Sequence, residues 1–189
     1  MKRVISLNKE ARKKLKEGVN KATEAIAQTL GPKGCSALIY TKSMGIPLVL
    51  DDGASITKLL QDDDPVVNAG VALINEVANQ ADSASDGTTS ATLIANSIIS
   101  DAISAIESGA SQKQLKRGVE SATKVALEYI QGLTHKVETR DDLKNVAKVS
   151  SNDDGMAEII ADAVDKVGEN GVIHVENGNG IDTHVDIVS

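Results

Sequence analysis

The sequence predicts a mainly α-helical protein: a helical bundle with one small β-hairpin, followed by a shorter α+β segment. Two observations support this fold class. Apolar residues recur every three or four positions over several long segments, which is the period of an amphipathic helix. The chain is 41% hydrophobic but has two Tyr and no Phe or Trp, so its core must be aliphatic and rich in alanine. Such a core suits closely packed helices better than a β-sandwich.

The first fifty residues are predicted to contain a short strand, one helix and a β-hairpin, in that order. Residues 4–7 form an apolar run typical of a strand, and residues 11–26 then follow the helical period. This helix must end at residues 30–34, LGPKG, because Gly and Pro interrupt it. Two short apolar runs, residues 37–40 and 46–50, are separated by a glycine turn and predict a β-hairpin.

Three longer helices are predicted next. Asp64 and Pro65 form a typical helix start, with Asp as the N-cap and Pro in the first turn, and this helix runs to about residue 80. The helix that follows the sequence SASDGTTSAT carries few charges, so we expect it to be central and buried. The third helix is predicted over residues 111–132.

The composition changes after residue 132, where we predict a domain boundary. Thr139 is expected to cap a helix that ends at Val149, and another amphipathic helix is predicted over residues 156–167. Two strand-like runs around an Asn/Gly-rich turn complete this α+β segment. The segment is short for an independently stable domain and ends on an apolar strand, so we expect the chain to be a piece of a larger protein.

The composition also excludes several classes of function. The chain has 20 Lys and Arg against 27 Asp and Glu, a net charge of −7, and almost no aromatic residues on which bases could stack, so nucleic-acid binding is not expected. Its single cysteine, Cys35, excludes a disulfide framework. Residues 4–7 are too short for a signal-peptide core, and the longest uncharged stretch, residues 87–100, is too short for a membrane span. We therefore expect a soluble, cytoplasmic protein with no membrane or nucleic-acid partner.

The loop before the predicted central helix is suited to binding phosphate. Asp86 and Gly87 are followed by the hydroxyl residues Thr88, Thr89 and Ser90. A helix N-terminus presents unpaired N–H groups, glycine allows the backbone to approach an anion, and an Asp can hold a magnesium ion against phosphate oxygens. The alternative interpretation is purely structural, with an Asp cap and hydroxyls that satisfy their own backbone.

Two further loops add polar groups. LGPKG could present backbone amides and Lys33 to a nucleotide, and Asp52, in the DDG sequence of residues 51–53, could polarise a water near a phosphate and a metal. Taken alone, each loop is better explained as a turn. The P-loop sequence GxxxxGK followed by Ser or Thr is absent, and so is GxGxxG, which excludes these two classes of nucleotide site.

In order and spacing, four segments resemble the group I chaperonins, the GroEL type. They are TLGPKG at 29–34, KSMGIPLVLDDGASI at 42–56, SDGTTSATLIANSII at 85–99 and LKRGVESA at 115–122. Two later segments, VSSNDD and VDKVGENGVIHVENG, resemble the start of that family's intermediate domain. The resemblance implies that residues 1–132 are the N-terminal part of the equatorial ATP-binding domain. Residues 133–189 would be the first segment of the intermediate hinge domain, with the apical domain and the C-terminal halves absent.

The resemblance also implies a site for ATP and Mg²⁺, with K⁺ as an accessory ion. By motif position, Asp52 would be catalytic through activation of water, and Asp86 would ligate magnesium. The nucleotide-binding positions implied in the same way are Thr29, Leu30, Gly31, Pro32, Asp51, Gly87, Thr88, Thr89, Ser90, Val149 and Ser150.

Two positions depart from the family pattern. Asp51 stands where the family usually has Lys, and Ser85 stands where it usually has Gly. An anion in place of a cation near a triphosphate should weaken nucleotide binding, unless only the backbone of residue 51 is used. The chain therefore resembles a divergent paralogue.

The resemblance implies the N-terminal portion of an ATP-dependent chaperonin, whose nucleotide hydrolysis drives ring movements that assist protein folding. It further implies a homo-oligomeric double ring, with a co-chaperonin and unfolded clients bound by the absent apical domain, in the cytoplasm or in an organelle matrix or stroma. The alternative is a non-hydrolysing structural or regulatory ring subunit. In either case we expect no ATP turnover from this chain alone, because the family's second carboxylate for hydrolysis and its adenine-side wall lie outside it.

Overall fold

The computed structural model describes residues 4–31, 33–40, 45–83, 86–168, 171–176 and 185–186. These residues form seven helices and one two-stranded antiparallel sheet, which confirms the predicted fold class. In chain order the elements are α1 (Asn8–Ala27), β1 (Ala37–Ile39), β2 (Leu48–Leu50), α2 (Gly53–Leu59), α3 (Pro65–Asp82), α4 (Thr88–Glu107), α5 (Gln112–Leu133), α6 (Arg140–Ser151) and α7 (Asp154–Val167).

The chain divides into two compact units, residues 1–122 and 123–189. The division lies inside α5. The predicted boundary after residue 132 concerns domains of the chaperonin family and stays a prediction.

The first unit is organised around the crossing of α1 and α3. A Cβ added to Gly18 would lie 1.9 Å from the Val67 carbonyl oxygen, and one added to Gly70 would lie 2.2 Å from the Leu15 carbonyl oxygen. The two glycines therefore allow the helix backbones to touch. The aliphatic core beside this crossing contains the buried residues Val19, Ala22, Ile26, Ile56, Val71 and Ile74.

Local capping signals fix where α3 and α2 begin. The Asp64 carboxylate accepts hydrogen bonds from the amides of Val66 and Val67, with Pro65 as the first residue of α3, as predicted. The sequence-based prediction missed α2, which is seven residues long and is capped by Asp52. A helix of fewer than two turns is too short to show the helical period.

The predicted β-hairpin is confirmed, with Leu38 paired to Val49 and Ala37 to Leu50 in antiparallel register. The predicted strand at residues 4–7 is wrong: these residues have no strand conformation, and Ile5 is 83% exposed. Among the described residues only β1 and β2 pair into a sheet, so this apolar run has no strand to bond with.

The prediction that α4 is buried is wrong. Only Thr92 and Ile103 of this helix are fully buried, whereas Ile94 is 60% exposed. By length and composition α4 could cross a membrane, a property that core helices of soluble proteins share. In the first unit α4 packs against α1, α2 and α3. Helix α5 is amphipathic but has no buried residue in the structure.

The second unit contains the predicted helix pair α6 and α7. A capping box fixes the start of α6: Thr139 accepts a hydrogen bond from the Asp142 amide, and the Asp142 carboxylate accepts one from the Thr139 amide. The two predicted strands of the α+β segment are not confirmed. Residues 171–176 are not in a strand, and Val172 is 92% exposed. The remainder of both runs, apart from residues 185–186, lies outside the described residues.

Candidate functional site

Four chain segments of the first unit meet at an open, polar cleft of about 360 Å³. They are the residues that follow α1, the residues at the start of α2, the last residue of α3, and the residues at the start of α4. The cleft is lined by Thr29, Leu30, Gly31, Asp51, Asp52, Gly53, Asp82, Asp86, Gly87, Thr88, Thr89 and Ser90.

The end of α1 supplies the first wall. Helix α1 ends at Ala27, and the chain turns at Gly31, whose φ of 72° is left-handed. The Cys35 amide then donates a hydrogen bond to the Gln28 carbonyl at 2.7 Å, which folds the loop back onto the helix end. The described residues on both sides of Pro32 therefore form the predicted turn, and Thr29 and Leu30 line the cleft at its start.

The start of α4 supplies the groups most suited to an anion. Gly87 precedes the helix with φ 78° and ψ 13°, a left-handed conformation that favours glycine. The Asp86 carboxylate accepts a hydrogen bond from the Gly87 amide at 2.6 Å, so it does not cap the helix. The first amides of α4 therefore have no side-chain cap and no acceptor within the helix, and they open toward the cleft.

Asp52 has both a structural and an electrostatic role at the start of α2. Its Oδ1 accepts a hydrogen bond from the Ala54 amide at 3.0 Å, and its Oδ2 accepts one from the Ser55 amide at 2.9 Å. Partial burial raises the pKa of Asp52, but the hydrogen bonds from Ser55 and Ala54 and the charge of Lys58 outweigh it, so the pKa lies below its ordinary value. Asp52 is therefore ionised at neutral pH and keeps lone pairs for another partner.

Gly53 brings the start of α2 against the other two walls. A Cβ at this position would lie 3.0 Å from Cγ2 of Ile26 and 3.1 Å from Oγ1 of Thr89. A larger residue here would require these two side chains to shift by a few tenths of an ångström. Sequence reasoning gave this glycine no role, because nothing local shows that two other helices approach it.

The cleft carries a strong negative charge. Four acidic residues line it, Asp51, Asp52, Asp82 and Asp86, and the described part of its lining includes no Lys, Arg or His. The nearest described cation to these groups is Lys58, whose Nζ lies 3.4 Å from Oδ2 of Asp82. Sequence reasoning missed Asp82, which belongs to the last turn of α3; its only sequence signal is that it stands four residues before Asp86.

The structure brings together most of the predicted site residues. Of those predicted between Thr29 and Ser90, all line the cleft except Lys33 and Pro32. Lys33 is exposed and does not belong to the lining, and Pro32 lies outside the described residues, as does Ser85. Val149 and Ser150 belong to α6 in the second unit. Within the described ranges no group of three or more His, Cys, Asp and Glu side chains is arranged to hold a metal ion. A metal at Asp86 would therefore need ligands from a bound anion or water.

Comparison with known proteins identifies the family. Residues 22–186 match the family model described as the TCP-1/cpn60 chaperonin family. The chain is 40% identical over 185 residues to the chloroplastic RuBisCO large subunit-binding protein subunit alpha of Chlamydomonas reinhardtii, covering 97% of this chain and 32% of that protein. A crystal structure of a group III chaperonin in the open state superimposes with a TM-score of 0.72 at 27% identity, over 86% of this chain and 34% of that chain. The chain spans about a third of the length of these relatives. With its helical fold and its matched motifs, the chain belongs to the TCP-1/cpn60 chaperonin family, which confirms the resemblance seen in the sequence.

Proposed function

We propose that this chain is the N-terminal, nucleotide-binding portion of an ATP-driven chaperonin that assists protein folding. The observation that carries the proposal is the convergence of three motif segments on one polar cleft, at the uncapped N-terminus of α4. The backbone amides of residues 88–90 and the hydroxyls of Thr88 and Ser90 would hold phosphate oxygens. The cleft volume suits the triphosphate part of a nucleotide, which leaves the adenine to elements outside this chain.

In this proposal magnesium accompanies the nucleotide and offsets the negative charge of the cleft. A triphosphate that enters a site with four carboxylates meets strong repulsion unless a divalent cation accompanies it. Asp86 is the carboxylate beside the α4 N-terminus, so it would take one position on the ion while phosphate oxygens take others. The bound ion would neutralise charge on the phosphates. The family resemblance also suggests K⁺ as an accessory ion.

Asp52 would orient and polarise the attacking water. Its low pKa keeps the carboxylate ionised, and the hydrogen bonds from two α2 amides hold it in one orientation. A second carboxylate for hydrolysis is expected from family elements that this chain does not contain. We therefore propose that hydrolysis belongs to the longer protein and that this chain alone binds Mg-ATP weakly without turnover.

The longer protein would form a homo-oligomeric double ring. In this proposal its apical domain binds unfolded clients and a co-chaperonin, and the nucleotide cycle in the equatorial domain drives its movements. The chloroplastic name of one relative favours an organelle stroma or matrix alongside the cytoplasm as the location.

A second function is favoured by Asp51. Asp51 lines the cleft where a cation would help bind phosphate, and no cation in the described lining replaces it. The longer protein would then be a non-hydrolysing structural or regulatory ring subunit. Steady-state release of phosphate from ATP by the full-length protein distinguishes the two functions.

The nucleotide site itself can be tested on this chain. We expect millimolar Mg-ATP to raise the melting temperature of the wild type. When ATP is at ten times its Kd, the free energy of unfolding rises by about 1.4 kcal/mol. Asp86→Ala should abolish the shift, and so should EDTA. Asp101→Ala is the matched control, because Asp101 is an exposed carboxylate on the same helix, away from the cleft. An equal shift in Asp86→Ala, or no shift in the wild type, would contradict the proposal.

A further inference from the structure

The direction of one hydrogen bond in the cleft can be deduced from its neighbours. Oγ1 of Thr29 lies 2.8 Å from the Ile26 carbonyl oxygen and 3.1 Å from Oγ1 of Thr89. A threonine hydroxyl has one proton, and a carbonyl oxygen can only accept. The Thr29 proton is therefore given to Ile26, so the Thr89 hydroxyl must be the donor in the bond between the two threonines.

This chain of bonds joins two elements that are sixty residues apart in sequence. It runs from Thr89, in the first turn of α4, to Thr29, just after α1, and ends on a backbone carbonyl of α1. Gly53 closes the other side, because a Cβ there would lie 3.1 Å from Oγ1 of Thr89. The Thr89 hydroxyl is thus held between α1 and α2, and its single proton is already used.

The neighbouring hydroxyls of α4 differ from that of Thr89. Among the described residues, neither the Thr88 nor the Ser90 hydroxyl has a hydrogen-bond partner, and both residues line the cleft. The Thr88 methyl group is the part that faces Gly53, 3.6 Å from where a Cβ would be. These two hydroxyls are free to donate to a ligand, whereas the Thr89 hydroxyl is not.

We propose that Thr89 is a positioning residue, whose hydroxyl fixes the α4 N-terminus to the end of α1 through Thr29, and that phosphate is bound by the hydroxyls of Thr88 and Ser90 and by the α4 amides. The inference rests on the proposed nucleotide site, since it divides the roles of that site's hydroxyls. Removing either threonine hydroxyl breaks the same link. The two losses should therefore have the same consequence.

A double-mutant cycle tests this division. The chain is prepared as wild type, Thr29→Val, Thr89→Val and the double variant, and its Kd for Mg-ATP is measured by calorimetry at a temperature where all four are folded. We expect each single variant to raise Kd by a similar factor, roughly 2- to 10-fold for one neutral hydrogen bond, and the double variant to add little. Thr89→Ser, which keeps the hydroxyl, should retain the wild-type Kd.

Thr88→Val is the matched comparison, because it removes a hydroxyl assigned to the ligand. Its effect on Kd should multiply with that of Thr29→Val instead of overlapping with it. A large rise in Kd for Thr89→Val with none for Thr29→Val would overturn the inference, because it would make Thr89 a direct phosphate donor. Independent effects of Thr29→Val and Thr89→Val on Kd would overturn it as well.

The same four variants separate this inference from the proposed function. Their free energies of unfolding, measured in urea without nucleotide, should show the same non-additivity between residues 29 and 89. If the wild type binds no Mg-ATP, the proposed nucleotide site is wrong, but non-additive free energies of unfolding still support the Thr29–Thr89 link. Additive free energies of unfolding would overturn the link whether or not nucleotide binds.

Discussion

The two units of the chain each contain a pair of packed helices, and the two pairs are held together by different means. In the first unit α1 and α3 meet at two glycines over a core of Val and Ile side chains. In the second unit the buried side chains of α6 and α7 are alanines: Ala147, Ala157, Ala161 and Ala163. A network of charges joins these two helices, and all of its members are at least partly exposed.

The network of the second unit is centred on Glu158 of α7, which pairs with Arg140 and Lys144 of α6. Arg140 also pairs with Asp162, and Lys148 Nζ lies 2.7 Å from Oδ1 of Asp154. Exposed ion pairs contribute little individually and are screened by salt, although a network contributes more than isolated pairs. The comparison therefore teaches that the packing of α1 on α3 depends chiefly on shape, with an ion pair from Lys14 of α1 to Asp64, the cap of α3. The packing of α6 on α7 depends more on pH and ionic strength.

The largest expected effect comes from filling the α1–α3 crossing. Gly18→Ala would place a methyl group 1.9 Å from a backbone carbonyl oxygen, so one helix must move, and we expect the free energy of unfolding to fall by about 3 kcal/mol. Gly118→Ala in α5 is the control. No atom lies within 4 Å of its added Cβ, and alanine favours helix by about 1 kcal/mol, so this variant should be slightly more stable. Urea unfolding measures both changes. If both substitutions lowered the free energy of unfolding equally, the loss at Gly18 could not be assigned to the close contact of α1 and α3.

A smaller effect is expected from Glu158, and it should depend on pH. Hydrogen bonds from Lys144 and then Arg140 lower the pKa of Glu158 to about 2, from an ordinary value of 4.5. A depressed pKa means that the stabilisation is complete above the unfolded value and is lost as the pH falls from about 4.5 to about 2. Glu158→Gln should lack this change over the same range. NMR signals of α6 and α7, followed through urea titrations at several pH values, measure it.

Salt gives the control for that measurement. Sodium chloride at about 1 M should weaken the wild-type network and leave Glu158→Gln nearly unaffected. Glu128→Gln, which removes a carboxylate with a single exposed partner, Lys124, in the same unit, should behave as the wild type at every pH. A Glu158→Gln variant with the pH profile of the wild type would show that the alanine contacts alone hold α6 on α7.

The sequence predicted those parts of the fold that depend on local signals. The caps Asp64 and Thr139 could be identified because each side chain accepts from amides only two or three residues further along the chain. The burial of α4 was predicted wrongly because apolar composition shows that a helix can be covered, without showing what covers it. In the site, the motif segments were found, but Gly53 and Asp82 were missed since their roles arise from helices that meet only in the folded chain.

Asp52 shows how one residue can belong both to the fold and to the site, and its substitution is expected to have the smallest effect on stability. Asparagine is about as good an N-cap as aspartate, so Asp52→Asn should change the free energy of unfolding by only a few tenths of a kcal/mol at neutral pH. Asp52→Ala, which cannot accept the amides of Ala54 and Ser55, should cost about 1 kcal/mol.

The pH dependence of the same position identifies the charge. Because the folded pKa of Asp52 is depressed below 3.8, its stabilisation is present above that pH and is lost as the pH falls through the folded value. Urea unfolding at neutral and acid pH should therefore show the wild type converging on Asp52→Asn in acid. Under the proposed function, Asp52→Asn in the full-length protein should also slow phosphate release from ATP while the fold is kept. If Asp52→Asn instead lost as much stability as Asp52→Ala, the charge of Asp52, and not its acceptor geometry, would hold the start of α2. Asp52 could then not be changed to test catalysis without loosening that helix.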